Sequence, residues 1–339
     1  MTRDQLTVVV AAYNEADALP LLHPRLSAVL EGMHDVDTRV LYIDDGSRDG
    51  TWTVLQRIAA GDPRVALLRL SRNFGKEAAL TAGLDRVEAG VAMILDADGQ
   101  DPPELIPQFV AKWREGYDDV YGTRIEREGE GWIKRATAHA FYRVIGRLSH
   151  TPIPADTGDF RLLSQRSLAA LREMRERHRF MKGLFGWVGF NTASIPYHRD
   201  ARSAGDSKFN LWRLWNFALE GITSFSTAPL RLATYLGLLT AVVAFLYALW
   251  VIVKALVWGD PVAGWPTMMA VILFLGGVQL IALGLIGEYL GRIYDEAKQR
   301  PLYLVDVWKP AAGVFSVPPV ASEGEAHAYR TAAARSESP

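Results

Sequence analysis

Val91-Ala92-Met93-Ile94-Leu95 runs straight into Asp96-Ala97-Asp98, and Gly99-Gln100-Asp101-Pro102-Pro103-Glu104 follows at once. An uninterrupted apolar run that stops at acidic residues reads as a buried parallel strand presenting its chemistry at its carboxyl end. In open α/β sheets that end is where ligands bind. Two carboxylates flanking a small residue, with an amide two positions on, make an oxygen-rich set suited to Mg²⁺ or Mn²⁺. Such a set can hold a diphosphate through the metal. A polar strand-to-helix turn, with Pro103 near the helix start, accounts for the prolines but not for the paired aspartates.

The same rhythm extends on both sides of this strand. Residues 6–12, 39–43 and 65–70 read as strands, and another lies near 119–121. Helical stretches fall at 17–31, from about 51 to 60, after Asn73 and after Pro103. This βαβ alternation predicts an α/β fold, a doubly wound and mostly parallel sheet with helices on both faces. Neither G-x-G-x-x-G nor G-x-x-x-x-G-K-[ST] occurs, which argues against a dinucleotide-binding dehydrogenase or a P-loop ATPase. Phosphate must therefore be held by metal and basic side chains.

The 339 residues suffice for a domain of roughly 200 residues plus extra elements. There is no cysteine, so disulfides, thiolate zinc sites and cysteine nucleophiles are excluded. The formal charge of −1 gives no reason to expect nucleic acid. Residues 6–12 are too short for a signal peptide and resemble a strand. Residues 232–253 and 262–287 are uncharged and mostly apolar, and each exceeds the roughly 20 residues that cross a bilayer. With Gly259-Asp260-Pro261 between them they predict a hairpin of transmembrane helices, 230–258 and 264–292. Arg231 precedes the first, while Arg292, Lys298 and Arg300 follow the second, so both flanks belong on the cytoplasmic side of a bacterial inner membrane. Trp258 and Trp265 would mark the far interface.

Three stretches carry a resemblance: Val8-Val9-Val10-Ala11-Ala12-Tyr13-Asn14-Glu15, Ile43-Asp44-Asp45-Gly46-Ser47-Arg48-Asp49-Gly50-Thr51 and Asp96-Ala97-Asp98. They are similar to the signatures of family 2 GT-A glycosyltransferases. Ser71-Arg72-Asn73-Phe74-Gly75-Lys76-Glu77, the Gly99–Glu104 stretch, Asp156-Thr157-Gly158-Asp159-Phe160-Arg161 and the paired spans narrow this. Together they resemble the polyprenyl-phosphate glycosyltransferases, of the bactoprenol glucosyltransferase type, bacterial relatives of dolichol-phosphate mannose synthase. Ala11 departs from the usual proline, outside the chemistry. The resemblance implies that Tyr13, Glu15, Asp45 and Asp96 line the nucleotide pocket. It implies that Asp96, Asp98 and Gln100 hold Mg²⁺ or Mn²⁺ across the sugar-nucleotide diphosphate, and that Arg124 contacts phosphate. Asp159 and Asp156 are the candidates for a base or a positioning carboxylate, with Asp159 favoured. A phosphate monoester, with a second pKa of about 6, is already a competent nucleophile at neutral pH, which reduces the need for a base.

Arg199-Asp200-Ala201-Arg202-Ser203-Ala204-Gly205-Asp206-Ser207-Lys208 is basic, small and hydroxylated, the composition of a phosphate-binding loop. A juxtamembrane patch for anionic lipids has the same charge, but the flanking glycine and serines favour a specific acceptor-phosphate site through Arg202, Ser207 and Lys208. Phe209, Leu211, Trp212, Leu214, Trp215, Phe217 and Leu219 suggest a helix lying in the interface. Phe185, Trp187 and Phe190 suit either shallow insertion or core packing. Glu288 and Arg292 are spaced for an ion pair. Gly287 and Gly291 form a G-x-x-x-G that would support close helix packing or a homo-oligomer.

The expected organisation is a catalytic domain over 1–205 and interfacial helices over 206–229. The two spans follow, then a docking segment over 293–310 in which 301–308 docks as a short strand, and a disordered tail over 311–339. The expected activity is inverting transfer of a sugar from a nucleotide donor to undecaprenyl phosphate, with UDP-glucose as first choice. GDP-mannose, UDP-N-acetylglucosamine and UDP-formamido-arabinose are the alternative donors. A processive polysaccharide synthase would show Q-x-x-R-W and more spans. A catalytically silent nucleotide-binding scaffold would not need Asp96, Asp98, Asp159 and Arg124 together.

Overall fold

The computed structural model describes residues 3–125, 157–177, 179–198, 228–258 and 264–312. Asp156, Arg202, Ser207, Lys208, the interfacial segment 206–227 and the tail from 313 lie outside the described residues, as do the side chains of Trp258 and Trp265.

Eight strands form one sheet: β1 (Asp4–Ala12), β2 (Val36–Asp44), β3 (Val65–Leu70), β4 (Val91–Asp96), β5 (Asp119–Arg124), β6 (Thr157–Leu163), β7 (Thr192–Tyr197) and β8 (Val305–Lys309). Their order is β7-β5-β6-β4-β1-β2-β3-β8. Strands β1 to β4 run parallel to one another, and β7 is parallel to β5. Strand β6 is antiparallel to both β4 and β5, and β8 is antiparallel to β3. The sheet is therefore mixed, with a mostly parallel core. The chain moves from β1 to β2 and β3 on one side, then returns so that β4 lies on the other side of β1. That reversal creates the crevice where α/β sheets receive ligands.

Helices cover both faces because strands β1, β2 and β4 are apolar on both. Helices α1 (Leu19–Glu31), α2 (Thr51–Gly61) and α4 (Ile106–Arg114) pack Leu22, Leu26, Leu55 and Phe109 on one face. Helices α3 (Lys76–Leu84), α5 (Gln165–Glu173) and α6 (Met181–Val188) pack Leu80, Leu168 and Leu184 on the other. Each fully buried Leu of this kind contributes about 1.5–3 kcal/mol of transfer free energy. Sequence patterning located β1 to β5 and α1 to α4, whereas β6, α5, α6 and β7 had no counterpart in it. Of the aromatic trio near α6, Phe185 is buried, Phe190 is half-buried under Arg166, and Trp187 is 63% exposed.

Two long helices follow, α7 (Ala228–Trp258) and α8 (Trp265–Ala297). They expose large apolar side chains outward, among them Phe245 at 68% and Ile281 at 73%. Among the described residues, Phe274–Ala297 is long and apolar enough to cross a membrane, and a shorter apolar stretch, Ala233–Tyr247, lies in α7. Glu288 and Arg292 make the expected pair at 3.2 Å. A Cβ added at Gly287 or Gly291 would meet nothing within 4 Å, so that face is open. Strand β8 then returns to the sheet edge beside β3, where the Ser71 N–H donates to the Leu304 carbonyl at 2.9 Å.

Gly46 ends the turn after β2 with φ +64°, and a Cβ there would strike the Arg72 and Asn73 backbone at 2.7 Å. Gly116 also has positive φ, +101°, but faces open space. Gly46→Ala should therefore destabilise by about 2 kcal/mol or more, while Gly116→Ala should cost about 1 kcal/mol from conformation alone. Thermal melting of the two variants side by side checks the ranking; equal losses would show that the Arg72 backbone yields.

Candidate active site

The crevice between β1 and β4 opens into a cleft of about 300 Å³. Ala11 and Asp96 are register partners across it. Tyr13, Glu15, Asp45, Asp96 and Asp98, all expected from sequence, line this cleft together, and so does Lys76.

Its wall is built by side chains that fix backbone. The loop after β1 is held by Asn14, which has φ +57°, accepts from the Arg48 N–H and donates its own N–H to Ser47 Oγ, each at 3.0 Å. The Glu15 N–H donates to Thr51 Oγ1 at 2.8 Å. Asp45 is buried and accepts from the Phe74 and Gly75 N–H groups at 2.8 and 2.9 Å. Burial raises its carboxyl pKa, against the pull of those two donors. Asp45 thus lines the cleft and also grips the loop that starts α3.

That loop delivers Lys76. Its ammonium lies 2.6 Å from Asp96 Oδ1 and 2.6 Å from Asp159 Oδ2. Partial desolvation would lower the pKa of this 44%-exposed lysine, but the two carboxylates reverse this and raise it. Asp159 responds in kind. Burial pushes its carboxyl up, Lys76 and then Lys182 outweigh that, and the net pKa falls below the usual carboxylate value. Beside them Glu77 is driven the other way, to about 8, by burial and by the charge of Asp159. Lys182 on α6 is lowered mainly by burial.

The remaining residues cluster at the same edge. Asp98 Oδ1 accepts from the Gln100 N–H at 3.1 Å, so Gln100 meets Asp98 through its backbone. Arg124, at the end of β5, is half-buried and donates from Nε to the Tyr197 hydroxyl at 3.4 Å. The Tyr197 hydroxyl donates in turn to Asp101 Oδ1 at 2.7 Å. Burial, with Asp96 nearby, raises the Asp101 pKa to about 6. Lys76 was not singled out from sequence, yet it carried a signal. It occupies the first position of α3, where the helix dipole disfavours a cation, so something else had to hold it there. Tyr197 had no such signal.

Comparison with known proteins identifies the family of the chain. Residues 7–172 match the family described as Glycosyl transferase family 2, and residues 228–293 match the GtrB C-terminal hairpin. An uncharacterized glycosyltransferase of Synechocystis is 48% identical over 305 residues, covering 90% of this chain and 96% of its own. The bactoprenol glucosyl transferase of Shigella phage SfX is 46% identical over 301 residues, covering 89% and 98%. The chain belongs to glycosyl transferase family 2. Among solved structures, a mannosyltransferase from Pyrobaculum calidifontis in complex with GDP-Man and Mn²⁺ aligns over 87% of this chain and 88% of its own, at 17% identity and TM-score 0.46. In this glycosyltransferase the family match ends inside α5, so β7 with Tyr197 lies beyond it.

The opposed shifts of Glu77 and Asp159 have opposite signs in stability. A carboxyl held below its ordinary 3.8, like Asp159, contributes stability present above that value and lost as pH falls through the folded pKa. Glu77, raised from 4.5 to about 8, makes stability decline as pH rises between those two values. Glu77→Gln, which mimics the protonated acid, should flatten that decline. Melting temperatures at pH 5 and pH 8 check this; a gap between wild type and variant that does not change with pH would show that Glu77 does not titrate there.

Proposed function

We propose that this glycosyltransferase moves glucose from UDP-glucose onto the phosphate of undecaprenyl phosphate, with inversion, at the cytoplasmic face of a bacterial inner membrane. The observation that carries this reading is near-full-length similarity to a bactoprenol glucosyl transferase, joined to a charged cleft and a paired apolar hairpin. On this reading α7 and α8 both span the bilayer, and Arg231, Arg292, Lys298 and Arg300 keep the catalytic domain and the C-terminus cytoplasmic. The domain limits are those expected from sequence, with interfacial helices over 206–229.

The acceptor phosphate is largely dianionic at neutral pH, so its oxygen attacks the anomeric carbon as the bond to the leaving diphosphate breaks. No proton has to be removed. Asp159, held ionised by Lys76 and Lys182, is a weak base at that pH and serves best as a positioning carboxylate. Lys76 and Arg124 place positive charge where the diphosphate develops negative charge. Tyr13, Glu15 and Asp45 face the nucleoside.

The donor set fits a hard divalent cation. Two carboxylates, Asp96 and Asp98, meet at one cleft, and Mg²⁺ characteristically takes one or two carboxylates plus substrate phosphates. Among the described residues no group of three or more His, Cys, Asp or Glu side chains that could hold a metal ion occurs, and substrate and water oxygens would complete the shell. Asp96 and Asp98, with Gln100 alongside, would hold Mg²⁺ or Mn²⁺, and the ion would offset charge on the leaving diphosphate.

Purified full-length protein given radiolabelled sugar nucleotides and undecaprenyl phosphate should form glucosyl lipid from UDP-glucose. Preferential use of GDP-mannose or UDP-N-acetylglucosamine would overturn the sugar while keeping the reaction class. Asp98→Asn should lose activity by roughly 100-fold or more, and chelator should abolish it until Mg²⁺ or Mn²⁺ is restored. Full turnover in excess EDTA would remove the metal from this reading.

The acceptor phosphate is assigned to Arg202, Ser207 and Lys208. Arg202→Ala and Lys208→Ala should each weaken acceptor use about tenfold or more while donor affinity holds. A nonspecific anionic-lipid patch would tolerate Arg202→Lys, whereas a bidentate phosphate contact would not. Acceptor kinetics at fixed detergent and salt decide between them.

A further inference from the structure

Arg124 and Tyr197 are register partners on the parallel pair β5 and β7, so their side chains leave the sheet on the same face. The backbone locks the pairing, since the Ile125 N–H donates to the Tyr197 carbonyl at 2.9 Å. Tyr197 is only 3% exposed, and its ring lies edge-on to Phe160 of β6 with centroids 5.4 Å apart. Two glycines clear the space. A Cβ at Gly122 would come within 2.7 Å of the Tyr197 ring, and one at Gly158 within 2.9 Å of Arg124 Nη2.

A tyrosine hydroxyl has one proton to give and lone pairs that accept. Asp101 accepts that proton at 2.7 Å, which turns the lone pairs towards the Arg124 Nε–H. The order of donors thus runs Arg124 to Tyr197 to Asp101, and it joins the ends of β5 and β7 to the loop after β4.

We propose that Tyr197 is a positioning residue that sets the Arg124 guanidinium for the substrate phosphate, with Asp101 fixing the direction of its hydroxyl. This rests on the reading that Arg124 meets phosphate. Occupying Nε from the protein side leaves the two terminal nitrogens of the fork for a bidentate phosphate contact. An arginine free to rotate would lose that geometry without losing its charge.

The experiment is a double-mutant cycle on the full-length enzyme, reading kcat/KM for transfer to undecaprenyl phosphate. Tyr197→Phe should lower it roughly three- to tenfold, the range of one hydrogen bond, without changing the melting temperature much. In an Arg124→Ala background the same substitution should cost nothing further. Equal losses in both backgrounds would overturn the proposal, because Tyr197 would then act independently of Arg124. Wild-type activity of Tyr197→Phe beside an impaired Arg124→Ala would overturn it while leaving the phosphate role of Arg124 intact. Wild-type activity of Arg124→Ala would remove that role and the inference with it. Should Tyr197→Phe not fold, Asp101→Ala carries the same cycle with the same expected outcomes.

Discussion

Five acidic side chains, those of Glu77, Asp96, Asp98, Asp101 and Asp159, gather at one edge of the sheet, and repulsion among those that stay ionised has to be offset. The Lys76 ammonium does this for Asp96 and Asp159. At 2.6 Å from both Asp96 and Asp159, it holds two acidic oxygens no more than about 5 Å apart. Two like charges at that spacing repel by on the order of 3 kcal/mol at an effective dielectric constant of 20. A cation between them turns the repulsion into two attractions. The placement of the cation is itself built from backbone. Asp45 grips the Phe74 and Gly75 amides, Gly46 lets the Arg72 backbone pass close by, and α3 starts where Lys76 can reach the ends of β4 and β6.

The parts of this arrangement that were legible in sequence are those set by local pattern. Strands β1 to β4 carry apolar runs that stop at or just before Asp or a small residue, and their burial on both faces leaves little alternation to confuse the reading. Strand β6 was not legible because Asp159 and Arg161 interrupt it. Arg161 can be buried only because Asp119 of β5 accepts from it at 2.7 Å and the Phe185 ring lies 3.8 Å away. Neither partner is near it in the chain. Strand β7 alternates exposed and covered positions at the edge of the sheet and contains Pro196, a composition that reads as loop. The aspartates at the cleft were visible as residue types at strand ends. Of their partners, Lys76 showed only as a cation at a helix start, and Lys182 and Tyr197 not at all, because tertiary contacts alone give those two a task.

The hairpin and the cleft are also mechanically linked. After α8 the chain does not drift away. The Arg177 N–H donates to Glu296 at 2.6 Å, and the Tyr303 hydroxyl donates to Asp85 at 2.8 Å. Strand β8 then covers the outer edge of β3, removing a row of unpaired backbone groups that would otherwise invite pairing with another chain. Strand β3 runs directly into the loop that carries Lys76. The segment leaving α8 therefore braces the strand that leads to the central cation.

The electrostatics at Asp159 suit one kind of acceptor better than another. A sugar hydroxyl needs a base with a pKa near the working pH, and a carboxylate placed for that task should be raised by burial or like charge. Asp159 is lowered, because its nearest neighbours are cations. A carboxylate in that state cannot take a proton readily, but it can hold Lys76 in place at every neutral pH. A phosphate acceptor arrives already ionised, so the site loses nothing by committing its best-placed carboxylate to structure. On the proposed reading, that acceptor brings negative charge, and Lys76, Lys182 and Arg124 at the same edge are the groups that would ease its approach to an anionic donor.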